Sequence, residues 1–152
     1  MKYFALVFIF FSSFSVASEE AQCLAEVIYF EARNQPIAGQ LAVGMVTLNR
    51  VNHHKYPDTI CGVVRQAKKD SLGRIIRHKC QFSYFCDGKE ESINDDRSWD
   101  KASLISLVLL SGMPDFTDNS IFYHSKKVNP SWSSHFHKTM AIEDHIFYTE
   151  KP

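Results

Sequence analysis

From residue 37 to residue 52 the chain reads as a helix that is apolar nearly all round. Leu41, Ala42, Val43, Met45, Val46 and Leu48 leave no broad face for water. A helix of that kind belongs in the middle of a domain, so the other elements must be laid around it. Just ahead of it, Leu24, Val27, Ile28 and Glu31 fall at i, i+3, i+4 and i+7 of a first helix over about residues 21–33. That helix ends before Pro36, whose ring and missing N–H disfavour continuation. The stripe that should face the core therefore closes on a carboxylate, Glu31, while Glu26 falls on the wettable face.

A glutamate at the buried edge of a helix, in the last turn where the macrodipole is negative, has its charged form disfavoured by desolvation and by the dipole. Both effects push its pKa upward. A carboxylic acid kept protonated near neutral pH is what general-acid cleavage of a glycosidic bond needs. The competing reading is an ordinary helix-end Glu31 that reaches water or pairs with Arg33 or Arg50.

The remaining pattern supplies what surrounds the central helix. Asp58 or Thr59 can cap a third helix over 60–69, with Ile60, Val63, Val64 and Ala67 on one face and a basic exposed side. Residues 81–86 are aromatic-rich, extended or looped, and are followed by Asp87-Gly88. A fourth helix over about 99–111 stops at Gly112 and Pro114. Beyond it, residues 121–124, 140–142 and 145–149 read as short strands, the last two joined by a tight turn at Glu143-Asp144. The fold class is α+β, mostly helical, with a small antiparallel sheet toward the C-terminus.

Residues 1–17 have the layout of a secretory signal peptide: a positive start, an apolar run, and small residues at Ser15 and Ala17. The run is short of the roughly 20 residues that span a bilayer, so the sequence predicts export and cleavage rather than a lasting membrane anchor. Residues 18–152 then form a single domain, with no repeat, linker or low-complexity tract. Its location is periplasmic or secreted. Four cysteines, an even number, suit an oxidising compartment. Of the three pairings they allow, the favoured one closes a local loop from Cys80 to Cys86 and leaves Cys23 to reach Cys61. Zinc ligation is the rival, although no CxxC pair is present. Seventeen basic residues balance seventeen acidic ones, which argues against a nucleic-acid partner. The one basic concentration is Lys68-Lys69 with Arg65, Arg74, Arg77 and Lys79 nearby.

Residues 28–51, Ile-Tyr-Phe-Glu-Ala-Arg-Asn-Gln-Pro running into the central helix, resemble the signature of the cell wall hydrolases related to the spore-cortex-lytic enzyme SleB. Further blocks resemble that family in the same order: residues 56–64, 80–88, 122–124, 128–132 and 144–148. The resemblance implies a lysozyme-like domain that cuts peptidoglycan glycan strands, with the glutamate of Glu-Ala-Arg, here Glu31, as catalytic acid. The family commonly reads Glu-Ala-Arg-Gly-Glu-Pro, whereas this chain has Asn34-Gln35. Asn34 tolerates the left-handed backbone a glycine would supply. Gln35 removes a carboxylate and any mechanism that needs one there.

Hydrolysis by the usual route uses two carboxylates. A lytic transglycosylase works with one, which first protonates the leaving oxygen and then, as base, helps the muramic acid 6-hydroxyl attack. The single acid is easier to reconcile with that scheme, while Asp87, Glu143 and Asp144 stand as candidate second carboxylates beside turn signals. Gln81 and Ser83, Tyr123 and His124, and Thr47 are candidate substrate-binding residues. Phe82, Tyr84, Phe85, Trp99 and Trp132 offer stacking faces. The implied partner is peptidoglycan, met by a monomer that needs no cofactor or metal. Two rivals stay open: a zinc amidase suggested by seven histidines, for which no HExxH occurs, and a wall-binding module without activity.

Overall fold

The computed structural model describes residues 10–152, with side-chain burial from residue 17. Residues 1–9 of the expected export signal lie outside the described residues, and residues 10–17 run straight into the first helix. Helix α1 (Phe10–Ala32) thus begins earlier than the expected residue 21, because neither Pro nor Gly interrupts the stretch. Pro36 sits at the N-cap of α2 (Ile37–Val51), and the corner between the two helices is closed by Gln35 N–H donating to the Ala32 carbonyl at 2.9 Å. Asn34 does not adopt positive φ, so the corner makes no demand on the left-handed tolerance expected of it.

Leu24, Val27 and Ile28 are fully buried, and the core they enter includes Met45, Val63, Val64, Phe82, Ile105 and Leu109. These come from α1, α2, α3 (Ile60–Val64), the loop after residue 80, and α4 (Asp96–Leu110). Gly44 lets α2 press close to its neighbours, since a Cβ there would run into Leu109 and Ile28. The other side of α2 meets a sheet, where Ala42 and Val46 pack on Phe147. The apolar helix is central because it is sandwiched between the helical cluster and that sheet.

The sheet contains β3 (Phe122–Ser125), β4 (His137–Ile142) and β5 (His145–Thr149), antiparallel in the order β3-β5-β4. Strand β4 starts at His137 rather than Met140, because His137 pairs with Thr149 at the far end of β5. The β4–β5 turn places Glu143 at φ 46°.

The expected third helix is corrected. It stops at Val64, and Ala67–Lys69 is instead a strand, β1, paired with β2 (Ile75–Cys80). Of the two caps offered by the sequence, Asp58 and Thr59, it is Thr59 that caps the helix, accepting from Gly62 N–H at 3.0 Å. The reversal lies in Asp70-Ser-Leu-Gly73: Asp70 Oδ1 accepts from the N–H groups of Leu72 and Arg74, and Gly73 sits at φ 78°. Ala67 fell on the helical stripe by coincidence of spacing, and the basic residues that follow decorate an exposed hairpin. Helix α4 likewise begins at Asp96 rather than residue 99, because Asp95 is the N-cap and accepts from Ser98 N–H.

Cys23 and Cys61 sulfurs lie 2.08 Å apart and join α1 to α3, while those of Cys80 and Cys86 lie 2.03 Å apart and clasp the loop behind β2. Within that loop, Ser83–Cys86 forms a 3-10 turn.

Candidate active site

Glu31 stands in the last turn of α1, half-buried at the edge of a cavity of about 450 Å³. Arg50 from the end of α2, Cys80 to Ser83 from the clasped loop, Phe122 and Tyr123 from β3, and Trp132 and Phe136 from the segment before β4 complete the walls. Half of the lining residues are aromatic and the polar groups converge among them, as in sites that bind a small ligand.

Burial pushes the Glu31 carboxyl above the ordinary glutamate range. The Tyr123 hydroxyl and the Arg50 charge pull back in the other direction, more weakly. Tyr123 OH donates to Glu31 Oε2 at 3.0 Å. The Tyr123 hydroxyl is itself held well above the ordinary tyrosine range by burial and by the Glu31 charge, so it stays a donor. Glu26 is half-buried rather than freely wetted, and its carboxyl is also raised by burial, but it does not line this cavity.

Gln81 and Ser83 line the cavity with Glu31, and Gln81 is pinned there by its N–H donating to the Gln66 carbonyl at 2.8 Å. Tyr123 lines it too. Two candidates do not. Thr47 is fully buried and its hydroxyl donates back to the Val43 carbonyl at 3.4 Å within its own helix. His124 shares a face of β3 with Phe122, but its ring is taken up behind the cavity wall, bonded to the Tyr148 hydroxyl at 2.9 Å and packed edge-on to Trp132. Of the expected stacking residues, Phe82 and Trp132 line the cavity, whereas Tyr84 stacks on Phe30 and Trp99 packs against Tyr29.

Among the described residues Glu31 is the one carboxylate in the cavity wall. Asp87 is spent on its turn, accepting from Lys89 N–H, and Glu143 sits in the β4–β5 turn. Asp144 faces Gln35: Gln35 Nε2 donates to Asp144 Oδ2 at 3.2 Å, and Asp144 N–H donates back to Gln35 Oε1 at 3.4 Å. An amide can serve both halves of that exchange, and a carboxylate cannot. Gln35 is thus a brace between the α1–α2 corner and the sheet, outside the cavity. No group of three or more His, Cys, Asp or Glu placed to share a metal ion occurs among the described residues.

In the sequence Arg50 stands out only as a partner for Glu31, and nothing marks Phe122 or Phe136 as wall residues. The signal for Arg50 was available, since a charge on a helix otherwise apolar all round must be buried for a reason.

A family model described as Cell Wall Hydrolase matches residues 34–148, well over half of the chain. The chain belongs to this family. Glu31 lies just ahead of the matched span. The spore cortex-lytic enzyme of Oceanobacillus iheyensis is 44% identical over 48 residues, covering 32% of this chain and 17% of that protein. The enzyme of the same description from Bacillus subtilis is 38% identical over 48 residues, covering 32% and 16%. The matched stretch therefore spans less than a fifth of these curated relatives. Two solved structures share the fold. The catalytic domain of the Bacillus cereus SleB protein aligns with a TM-score of 0.64 at 26% identity, over 87% of this chain and 91% of that one. The catalytic domain of the germination-specific lytic transglycosylase SleB from Bacillus anthracis gives 0.64 and 26%, over 86% and 93%. The family's mixed helix and small-sheet architecture is the one described above.

Proposed function

We propose that this protein cleaves the glycan strands of peptidoglycan as a lytic transglycosylase, with Glu31 as the general acid and then the general base. The observation that carries this reading is a half-buried acid, raised by desolvation, as the lone carboxylate among the described residues that wall the cavity. A two-carboxylate hydrolysis has no second acid in that wall. Family membership and the likeness to a SleB catalytic domain described as a lytic transglycosylase support the same reading.

In this scheme Tyr123 fixes Oε2, leaving Oε1 to give its proton to the glycosidic oxygen as the bond to the muramic acid C1 breaks. The resulting carboxylate, favoured by the Tyr123 hydrogen bond and the Arg50 charge, takes the proton of the sugar's own 6-hydroxyl as that oxygen bonds to C1. The acid is regenerated, no water is consumed, and one product ends in a 1,6-anhydro ring. Gln81 and Ser83 supply hydrogen bonds to the sugar, and Phe82 and Trp132 supply apolar faces. Residues 1–17 act as an export signal and residues 18–152 as the enzyme, a monomer working outside the cytoplasm.

Mass analysis of digested peptidoglycan tests the reaction. The expected fragments are lighter by one water than hydrolysis products. Reducing ends alone would indicate hydrolysis, released peptides with intact strands an amidase, and binding to sacculi without loss of turbidity a wall-binding module.

A further inference from the structure

Arg50 lies near the end of the central helix α2 and is only 4% exposed. Its Nε donates to the Ile121 carbonyl at 2.8 Å, and the guanidinium lies 5.5 Å from the Tyr56 ring and 5.0 Å from the Phe82 ring. The two rings flank the guanidinium, and the neighbouring Tyr56 hydroxyl favours its charge. Nη1 is buried and has no hydrogen-bond acceptor among the described residues. An orphaned N–H on a buried cation is costly and is kept only where something repays it.

The same side chain lines the cavity that holds Glu31. When Glu31 is protonated, as its acid step requires, it carries no charge and the cavity wall holds one uncompensated cation. A neutral carbonyl would accept a hydrogen bond without balancing that charge. A carboxylate does both, and its two oxygens match the guanidinium fork.

We propose that Arg50 anchors a carboxylate borne by the muramic acid side chain of the substrate, seated in the Glu31 cavity beside the scissile bond. The inference rests on the glycan-cleavage reading and deepens it by naming a specificity determinant. Muramic acid carries a lactyl carboxylate that is free where the stem peptide has been removed. Where the peptide remains, the peptide itself supplies carboxylates. Glucosamine carries none, so an Arg50 anchor also selects which sugar of the alternating strand sits on the side of Glu31 where the bond breaks.

The test changes the substrate first, so that it does not depend on a folded Arg50 variant. Binding is measured by calorimetry with the Glu31→Gln protein, whose neutral amide stands in for the protonated acid. The ligands are soluble peptide-free strands and peptide-bearing strands, each in native form and with carboxyls converted to methylamides. In one of these pairs neutralisation is expected to weaken binding by about tenfold or more, and the pair that responds identifies the lactyl or the peptide carboxylate. Arg50→Met is expected to erase the difference and Arg50→Lys to keep part of it, with thermal melts reporting the fold of each. Equal affinities within both pairs, or no binding to any ligand, would overturn the inference. Cleavage by the wild type is scored separately: failure to cut any strand defeats the glycan-cleavage reading, and equal KM for native and neutralised strands defeats the Arg50 anchor alone.

Discussion

At the scale of single residues, the proposed chemistry turns on how Glu31 is held between burial and two partners. Its carboxyl is raised in the folded protein, so the native state binds the Glu31 proton more tightly than the unfolded chain does. Stability from this group is fullest below the unfolded pKa and falls as pH rises through the folded one. Glu31→Gln removes that loss, so its melting temperature is expected to exceed the wild type's at neutral pH, with the gap closing in acid. Differential scanning calorimetry across pH checks this. Tyr123→Phe removes the bond that favours the carboxylate. The Glu31 pKa then rises further, and the alkaline limb of the pH–rate profile, where the acid is lost, moves to higher pH. A profile that shifts downward or stays in place would separate Tyr123 from Glu31. Glu31 was legible in the sequence because a carboxylate ended an apolar stripe. Thr47 and His124 misled for local reasons: a helix offers a hydroxyl its own carbonyl, and the His124 ring is claimed by Tyr148 and Trp132 behind the cavity wall.

At the scale of elements, the long helices announced themselves by period and punctuation, whereas the β1–β2 hairpin did not. Its strands are short and mostly exposed, so no buried alternation marks them, and one alanine at helical spacing extended α3 on paper. The Asp70 to Gly73 turn was the overlooked signal. The corner between α1 and α2 gives a sharper lesson. Gln35, which looked like a lost catalytic group, braces Asp144 through a two-way amide exchange. Gln35→Glu sets two carboxylates face to face and is expected to lower stability by about 1–3 kcal/mol near neutral pH, with recovery as acid protonates the pair. Urea unfolding at two pH values measures it. Gly44→Ala forces α2 away from Leu109 and Ile28 and is expected to destabilise by about 1–3 kcal/mol, read from the same unfolding curves.

Across the whole molecule, the helical cluster and the sheet meet at α2, and the cavity is assembled from both sides of that meeting. The fold class could be read because the four helices all precede the three-stranded sheet in the chain. The cavity walls could not, since Phe122, Trp132 and Phe136 converge only once β3 and the segment before β4 are placed. The two cysteine pairs serve different ends. The Cys23–Cys61 link, 38 residues apart in sequence, restrains the unfolded chain, and its removal is expected to cost about 4 kcal/mol on chain-entropy grounds. The Cys80–Cys86 clasp shapes the loop that presents Gln81 and Ser83. Its removal is expected to raise KM more than it lowers the melting temperature, which steady-state kinetics beside thermal melts will show.

The most direct measurement is the rate at which purified sacculi lose turbidity with wild type, Glu31→Gln and, as a folded control outside the cavity, Glu26→Gln. Loss of the acid is expected to slow clearance by about 10²–10⁴-fold, while Glu26→Gln stays near the wild type. A Glu31→Gln protein that clears sacculi within tenfold of the wild-type rate would contradict the assignment of Glu31 as the acid.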